Sequence, residues 1–191
     1  MSKLIVSTVE AQTFNYDSDT TGLILNSDGT VNESSKILRG WYLNTAYTTT
    51  NSPVTLTNWT EINSTSQGFK PSGPSGAVTV SSGTFGFGVT GIYRVHVNFH
   101  VNTGNASRWM EADIRFRPSG GSYDAFDIYN FMSVEESTTT YVSFTRERYL
   151  NITSTSDNFI VQFASNQTNS LRGGGYGDTH VYVERIGPAV T

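Results

Sequence analysis

The chain has 191 residues, enough for one sizeable domain with an appendage, and 13% of them are aromatic, which suits a thin core closed by bulky rings. Its net charge of −4 argues against nucleic-acid binding, which requires concentrated lysine and arginine. The absence of cysteine excludes disulfides and thiolate metal sites.

The first 38 residues differ in composition from the rest of the chain. Two short apolar runs, one with Leu4 and Val6 and one with Leu23 and Leu25, are separated by clusters of turn-forming residues. This segment is too short and too poor in apolar residues to build its own core. We expect it to become ordered against a partner, a neighbouring copy or the main domain, with a flexible leader as the alternative. The sequence thus predicts an extended attachment segment at residues 1–38 and a head at residues 39–191.

The amino terminus also lacks the apolar core of a secretory signal. No stretch approaches the length of a membrane span. We therefore expect a protein that is made in a cytoplasm and is not inserted in a membrane.

From residue 39 onward the pattern indicates short strands separated by turns. Strands are predicted at residues 41–47, 53–62, 77–80, 107–117, 123–132, 140–150, 159–164 and 180–186, with a loop at 69–76. Helical periodicity and internal repeats are both absent, which argues against solenoids and propellers. The sequence predicts an all-β fold, an antiparallel β-sandwich or jelly roll.

The stretch 84–101 has the clearest pattern. After a turn at Thr90-Gly91, apolar residues (Tyr93, Val95, Val97, Phe99 and Val101) alternate with polar ones (Arg94, His96, Asn98 and His100). Because successive side chains of a strand point to opposite faces, the pattern predicts a hairpin of two half-buried strands. The apolar face, with Val181 and Val183 of the last strand, is a candidate for the core or a trimer interface. The polar face is a candidate for a subunit contact or a solvated surface.

The same stretch resembles the signature of C1q/tumour-necrosis-factor-like jelly rolls, through Gly83-x-Phe85 to Val89 and then Gly91-Ile92-Tyr93. The segment Ser156-Asp157-Asn158-Phe159 is similar to the family's Gly-Asp-x-Val segment, with Ser156 in place of the glycine. Val95 stands where the family usually has Phe, and residues 179–183 depart from its Phe-x-Gly-x-Leu ending. The resemblance covers about residues 39–187. It implies a non-enzymatic homotrimeric head in which Tyr93 packs inward near the subunit contact.

The opening Ser2-x-Leu4-x-Val6-x-Thr8-Val9-Glu10 resembles the openers of bacteriophage tail-fibre and related virion proteins. The resemblance implies a virion protein, made in the host cytoplasm, whose partners are itself and other capsid or tail proteins. Leu4, Val6, Leu23 and Leu25 are then the candidates for particle attachment. The compact length favours capsid decoration over a tail appendage, because tail fibres usually carry long shafts.

Two pairs of residues are candidates for chemical sites. His96 and His100 share a strand face about 13 Å apart, too far for one chain to bring both to one zinc ion. Glu111 and Asp113 are about 7 Å apart, a spacing that suits glycoside hydrolysis. However, arginines at 115 and 117 continue that face and indicate charge pairing instead.

Two regions rich in turn-forming residues are candidates for ion or phosphate sites. Asp17, Asp19, Asn26 and Asp28 offer oxygens for calcium, but turns favour the same residue types. The glycine-rich loop at 173–178 lacks the Lys-Ser/Thr of a phosphate-binding loop. We therefore expect no cofactor and no metal.

The aromatic segment with Tyr123, Phe126 and Tyr129 is too dense for alternation to bury every ring. Together with Tyr176, these residues are candidates for a subunit contact or for a glycan-binding surface. We predict a non-enzymatic, homotrimeric virion structural protein, either a capsid decoration or a tail appendage. The alternative is a receptor-binding tail-fibre head that recognises host-surface glycans.

Overall fold

In this computed structural model the described residues are 12–15, 21–25, 31–32, 36–49, 52–63, 69, 71–103, 109–125, 140–166, 169–175 and 177–190. Every regular element within these ranges is a strand, which confirms the predicted all-β class. The strands are β1 (Gln12–Asn15), β2 (Thr21–Leu25), β3 (Val31–Asn32), β4 (Leu38–Leu43), β5 (Tyr47–Thr49), β6 (Val54–Thr55), β7 (Trp59–Glu61), β8 (Val78–Ser81), β9 (Thr84–Phe87), β10 (Gly91–Thr103), β11 (Met110–Arg117), β12 (Thr140–Ile152), β13 (Asn158–Ser165), β14 (Asn169–Leu171) and β15 (His180–Gly187).

The strands form three antiparallel sheets. β1, β2 and β3 make a small sheet of their own within the predicted attachment segment. The head consists of a seven-stranded sheet and a five-stranded sheet. In the larger sheet β10 is central, because β12 pairs along its whole length on one side while β15 and β14 pair on the other. β4 and β7 continue the sheet beyond β15, and β5 continues it beyond β14.

The five-stranded sheet has the order β11-β13-β9-β8, with β6 also paired to β13. All eight residues of β13 are buried, so this strand lies at the centre of its sheet. The predicted single strands at 41–47 and 53–62 are each split in two by short irregular stretches. β14 was not predicted, because three residues are too few for a period-two pattern to show.

The predicted hairpin across Thr90-Gly91 is wrong. β9 pairs with β8 and β13 in the smaller sheet, whereas β10 belongs to the larger sheet. Residues 88–90 therefore carry the chain from one sheet to the other. The alternation shows which side of each strand is buried, but two strands that face one core from opposite sheets give the same pattern as a hairpin.

The true hairpin of this region joins β8 and β9 through Ser82 and Gly83. Both residues have positive φ, 47° and 80°, and Ser81 lies opposite Thr84. Two central residues in this conformation form the type I′ turn, whose twist matches that of the flanking strands. Gly83 also lies close to the neighbouring chain, because a Cβ there would lie 2.5 Å from the carbonyl oxygen of Leu56.

The core between the two sheets is built around aromatic rings. Phe85 of β9 stacks on Phe159 of β13, with centroids 4.6 Å apart and planes within 8°. From the larger sheet, Trp41 and Trp59 meet the same Phe85 ring edge-on at 5.3 and 5.7 Å. These contacts tie the sheets together, since such pairs contribute beyond the area that they bury.

The free edge of β11 is occupied by side chains and a loop. Among the described strands, β11 pairs only with β13. Arg146 donates to the carbonyl of Ala112, and Arg148 donates to the carbonyl of Ile114. The side chain of Asp113 accepts the N–H of Ile114. Asp124 bonds to Phe116 twice: its side chain accepts the N–H of Phe116, and its own N–H donates to the carbonyl of Phe116. Arg148 also pairs with Asp124. The two arginines come from β12, so these bonds join the two sheets at this side.

A pair of glycine substitutions separates backbone strain from close contact. Gly83 and Gly120 have similar φ values, +80° and +73°, but a Cβ at Gly120 would meet nothing within 4 Å. We expect Gly120→Ala to cost about 1–2 kcal/mol through strain alone. Gly83→Ala should cost about 1–3 kcal/mol more, because the Leu56 carbonyl must shift. Urea unfolding followed by tryptophan fluorescence measures both, and equal losses would contradict the role assigned to Gly83.

Candidate functional site

The large sheet has one face in the core and one face turned away from it. In β10 the odd-numbered residues are buried, which places Arg94, His96, Asn98 and His100 on the other side, as predicted. The strand registers place the neighbouring residues on the same side. We call this surface the outer face; it comprises Arg94, His96, Asn98 and His100 of β10, Tyr141, Glu147 and Tyr149 of β12, His180, Tyr182 and Glu184 of β15, and Leu38 and Tyr42 of β4.

The outer face carries exposed aromatic rings. Tyr141 and Tyr149 of β12 are 53% and 59% exposed and are two of the few large apolar side chains in the described chain that face solvent so openly. Tyr182 is half-buried, and Phe69 from the loop before β8 stacks on it with centroids 5.1 Å apart. A Cβ at position 40 would lie 2.9 Å from the ring of Tyr182, so Gly40 is what allows these rings to lie over β4.

Beside the stacked rings lies a shallow cavity of about 420 Å³. It is lined by Leu38, Phe69, Arg94, His96, Tyr182 and Glu184. Its lining therefore combines apolar surface with one arginine and one carboxylate.

Charged groups on the outer face are paired across strands. Arg94 Nε lies 3.5 Å from Glu147 of β12, and its Nη1 lies 3.9 Å from Glu184 of β15. His96 Nδ1 is 3.6 Å from the same Glu147. A hydrogen bond to Glu147 also raises the pKa of Tyr149. Cations and anions thus alternate over this end of the sheet.

The other end of the outer face is organised by Asp178. Its carboxylate lies 3.3 Å from Arg172 Nε and 3.7 Å from His100 Nδ1. The Arg172 guanidinium in turn lies 4.9 Å from the ring centroid of Tyr141. The backbone carbonyl of Asp178 is 2.8 Å from Nδ1 of His180. Since a carbonyl only accepts, Nδ1 of His180 carries the proton and donates it.

Burial lowers the pKa of His180, and the nearby His96 lowers it further, while the hydrogen bond to Asp178 acts in the opposite direction. The His180 ring also packs against Tyr182, with centroids 4.9 Å apart. Because its pKa is lowered, His180 is neutral at neutral pH. Burial raises the pKa of the Tyr182 phenol.

The residues predicted for the core or the trimer interface all lie inside the head. Tyr93, Val95, Val97, Phe99, Val181 and Val183 are fully buried within this one chain. The hydroxyl of Tyr93 donates to the carbonyl of Val89 at 2.8 Å, and its ring lies 4.7 Å from Phe87. The side chains available for a subunit contact on this sheet are therefore those that alternate with these buried residues and lie on the outer face.

Tyr123 is half-buried and engaged within the chain. Its hydroxyl donates to Asn158 at 2.8 Å, and the guanidinium of Arg117 lies 5.0 Å from its ring centroid. Phe126, Tyr129 and Tyr176 lie outside the described residues, as do Leu4 and Val6. Leu23 and Leu25 lie in β2 of the small sheet.

Glu111 and Asp113 are the two carboxylates whose spacing suits glycoside hydrolysis. Asp113 is buried, and its Oδ1 accepts the N–H of Ile114 at 2.8 Å. Burial raises the pKa of Glu111. The calcium candidates Asp17, Asp19, Asn26 and Asp28 lie outside the described residues. Within the described part of the chain, no group of three or more potential ligand side chains is placed to hold a metal ion.

Asp157, in the segment that resembles the family's Gly-Asp-x-Val, holds two loops together. Its Oδ2 accepts the N–H groups of Thr153 and Ser154 at 2.9 and 3.0 Å. Its Oδ1 accepts the N–H of Ser119 at 2.7 Å. The carboxylate is buried, and three charge-assisted hydrogen bonds compensate its loss of water. This part of the signature therefore serves the fold.

Sequence reasoning did not identify the aromatic residues of the outer face. The alternation was present in β12, where Tyr141 and Tyr149 lie on one side of the strand and Val142 and Phe144 lie on the other. It was absent for Phe69, which comes from a loop that contains prolines and glycines.

Comparison with known structures identifies the fold. "Structure of Eiger TNF from S. frugiperda" superposes with a TM-score of 0.59 at 14% identity, covering 82% of this chain and 96% of that one. Murine APRIL, crystallised at pH 5.0, superposes with a TM-score of 0.57 at 10% identity, covering 79% and 99%. The chain has a tumour-necrosis-factor-like jelly-roll fold.

Other comparisons add little to this result. PRD1 vertex protein P5 aligns with a TM-score of 0.44 at 13% identity over 79% of this chain and 96% of its own, too low a score to show a shared fold. No protein-family model matches the sequence, and no curated protein matches it. In the described residues no helix is long and apolar enough to cross a membrane.

Tyr93 gives a pH dependence that can be measured. Burial raises the pKa of Tyr93 to about 12. Since the unfolded value is about 10, the stabilisation from the protonated phenol is complete below pH 10 and is lost as the pH rises to 12. A shift of this size corresponds to about 3 kcal/mol.

We expect Tyr93→Phe to lose about 1 kcal/mol at pH 7, because the Val89 carbonyl loses its partner. The variant should escape the alkaline loss, so the difference in unfolding free energy from the wild type should reverse between pH 10 and pH 12. Urea unfolding at several pH values measures this. Tyr141→Phe, which removes an exposed phenol, is the control, and parallel pH profiles for Tyr93→Phe and wild type would contradict the prediction.

Proposed function

We propose that the chain is a non-enzymatic structural protein that self-associates through the outer face as a homotrimer. The observation that carries the proposal is the outer face itself. It presents Tyr141 and Tyr149 openly, and the described strands leave it uncovered. Burying such rings against another copy is favourable at roughly 25 cal/mol per Å² of apolar area. Arg94 lies between the carboxylates of Glu147 and Glu184 and offsets one of their two charges, which reduces the unpaired charge that a contact would desolvate.

The positions of the exposed tyrosines and of the cavity favour a closed ring of copies. Tyr141 and Tyr149 lie on β12, at one side of the sheet, whereas the cavity beside Phe69 and Tyr182 lies towards the other side. Contact between β12 of one copy and the cavity of the next is heterologous, and such contacts close into rings when the rotation allows. The resemblance to C1q/tumour-necrosis-factor-like heads, with the tumour-necrosis-factor-like fold, supports three copies in the ring.

We further propose that the trimer belongs to a virion, as a capsid decoration or a tail appendage. This part rests on the opener, residues 2–10, which resembles those of bacteriophage tail-fibre and related virion proteins. Residues 1–38 would then attach the head to the particle, with Leu4, Val6, Leu23 and Leu25 as contacts.

A receptor-binding head that recognises host-surface glycans is the second candidate, and the structure favours it less. A sugar stacks on a free aromatic face, whereas the ring of Tyr123 is covered by Arg117 and its hydroxyl is bonded to Asn158.

Self-association can be tested by adding charge to the outer face. The wild-type protein should have the mass of three 20.9 kDa chains in light scattering at micromolar concentration. We expect Tyr149→Glu to be monomeric, because a new carboxylate beside Glu147 and Glu184 would have to be buried in the contact. Thr79→Glu, an exposed position on the other sheet, should stay trimeric. A trimeric Tyr149→Glu would place the contact elsewhere, and a monomeric wild type would refute the trimer.

Virion location is tested by labelling. Antibodies raised against the full chain should decorate intact particles from the infected host in electron micrographs. A Leu4→Asp, Leu23→Asp double variant, added to particles that lack the protein, should bind at least tenfold less than the wild type, because two charges must be desolvated in an apolar contact. Purified particles that contain no trace of the chain by mass spectrometry would contradict the assignment.

A further inference from the structure

All three histidines of the chain lie on the outer face. Charged groups face them from three strands and one turn: Arg94 from β10, Glu147 from β12, Glu184 from β15, and Arg172 and Asp178 from the turn before β15. The other titratable groups there are the phenols of Tyr42, Tyr141, Tyr149 and Tyr182. Two arginines and three carboxylates give these described groups a net charge of −1 while the histidines are neutral. Protonation of all three histidines changes that charge to +2.

Among the described residues, His96 and His100 each have a carboxylate within 4 Å, whereas no carboxylate lies that close to His180. Its Nδ1–H already donates to the carbonyl of Asp178, so protonation would add an N–H at Nε2. A second copy laid over this ring would remove its remaining water and leave the new charge buried.

His96 acts together with His180. Burial, and to a smaller extent the nearby His96, lowers the pKa of His180. In the separate chain, Glu147 at 3.6 Å offers His96 an ion pair on protonation, with water at hand. Between copies, the same positive charge would lose the water that solvates it in the separate chain.

We propose that association through the outer face is controlled by pH: copies associate while His96 and His180 are neutral, and separate when mild acid protonates them. The proposal rests on the self-association proposed above and names its regulation.

The direction follows from linkage. Burial between copies lowers the affinity of both histidines for protons, so the separated chains bind more protons than the assembly does. Association is therefore strongest above the histidine pKa of the separate chain and weakens as the pH falls through it. For each pKa unit lost on association, the assembly weakens about tenfold per histidine once the pH is below both values.

The experiment is sedimentation velocity of the full chain at pH 8, 7, 6 and 5, at constant ionic strength, with far-ultraviolet circular dichroism to follow the fold. We expect trimers at pH 8 and 7 and folded monomers at pH 5. The double variant His96→Gln, His180→Asn should remain trimeric at pH 5, since the Asn amide can still donate to the Asp178 carbonyl. His100→Asn should dissociate as the wild type does, because His100 has Asp178 as a partner for its charge.

The outcomes separate the two proposals. A wild type that is monomeric at every pH refutes self-association itself. A wild type that stays trimeric at pH 5, or a double variant that dissociates like the wild type, overturns the pH control and leaves self-association standing. Loss of the far-ultraviolet signal at pH 5 in both proteins also overturns it, since acid would then act on the fold.

Discussion

The contact of Phe85 with Phe159, Trp41 and Trp59 is the interaction on which the head depends. Only 36% of the residues are hydrophobic, so a few large rings must supply much of the buried area between the sheets. Once these rings fix which side of each strand is inward, the alternation of side chains fixes the other side as well. The outer face is therefore a direct consequence of the core: His96 points outward because Val95 and Val97 point inward.

The sequence was sufficient for the properties that depend on period-two patterning. It predicted the all-β class, the side of β10 that is buried, and the position of β13. It failed where strand pairing decides the structure, because Phe85 and Tyr93 look like partners in one hairpin although they reach the core from opposite sheets. Pairing depends on contacts between distant segments, such as β10 with β12, which no local pattern of residues records.

Part of the candidate site could also be predicted from the period-two alternation of side chains. Alternation alone placed His96 and His100 on a shared surface, and spacing excluded a common metal ion within one chain. Phe69 joins that surface only through the tertiary fold, by stacking on Tyr182 above Gly40. The segments that resemble the family signature, around Tyr93 and Asp157, turned out to be buried and to support the fold. A resemblance carried by such residues is informative about architecture and says little about what the surface binds.

The capped edge of β11 limits how the protein can aggregate. An open strand edge accepts the backbone of another chain, and repeated addition of this kind builds fibres without a defined end. Here Arg146, Arg148 and Asp124 already use hydrogen-bonding groups of that edge. Backbone-to-backbone growth from β11 would have to break these bonds first. Copies with several exposed rings can therefore reach high local concentration, as on a crowded surface, without their smaller sheets joining through this edge.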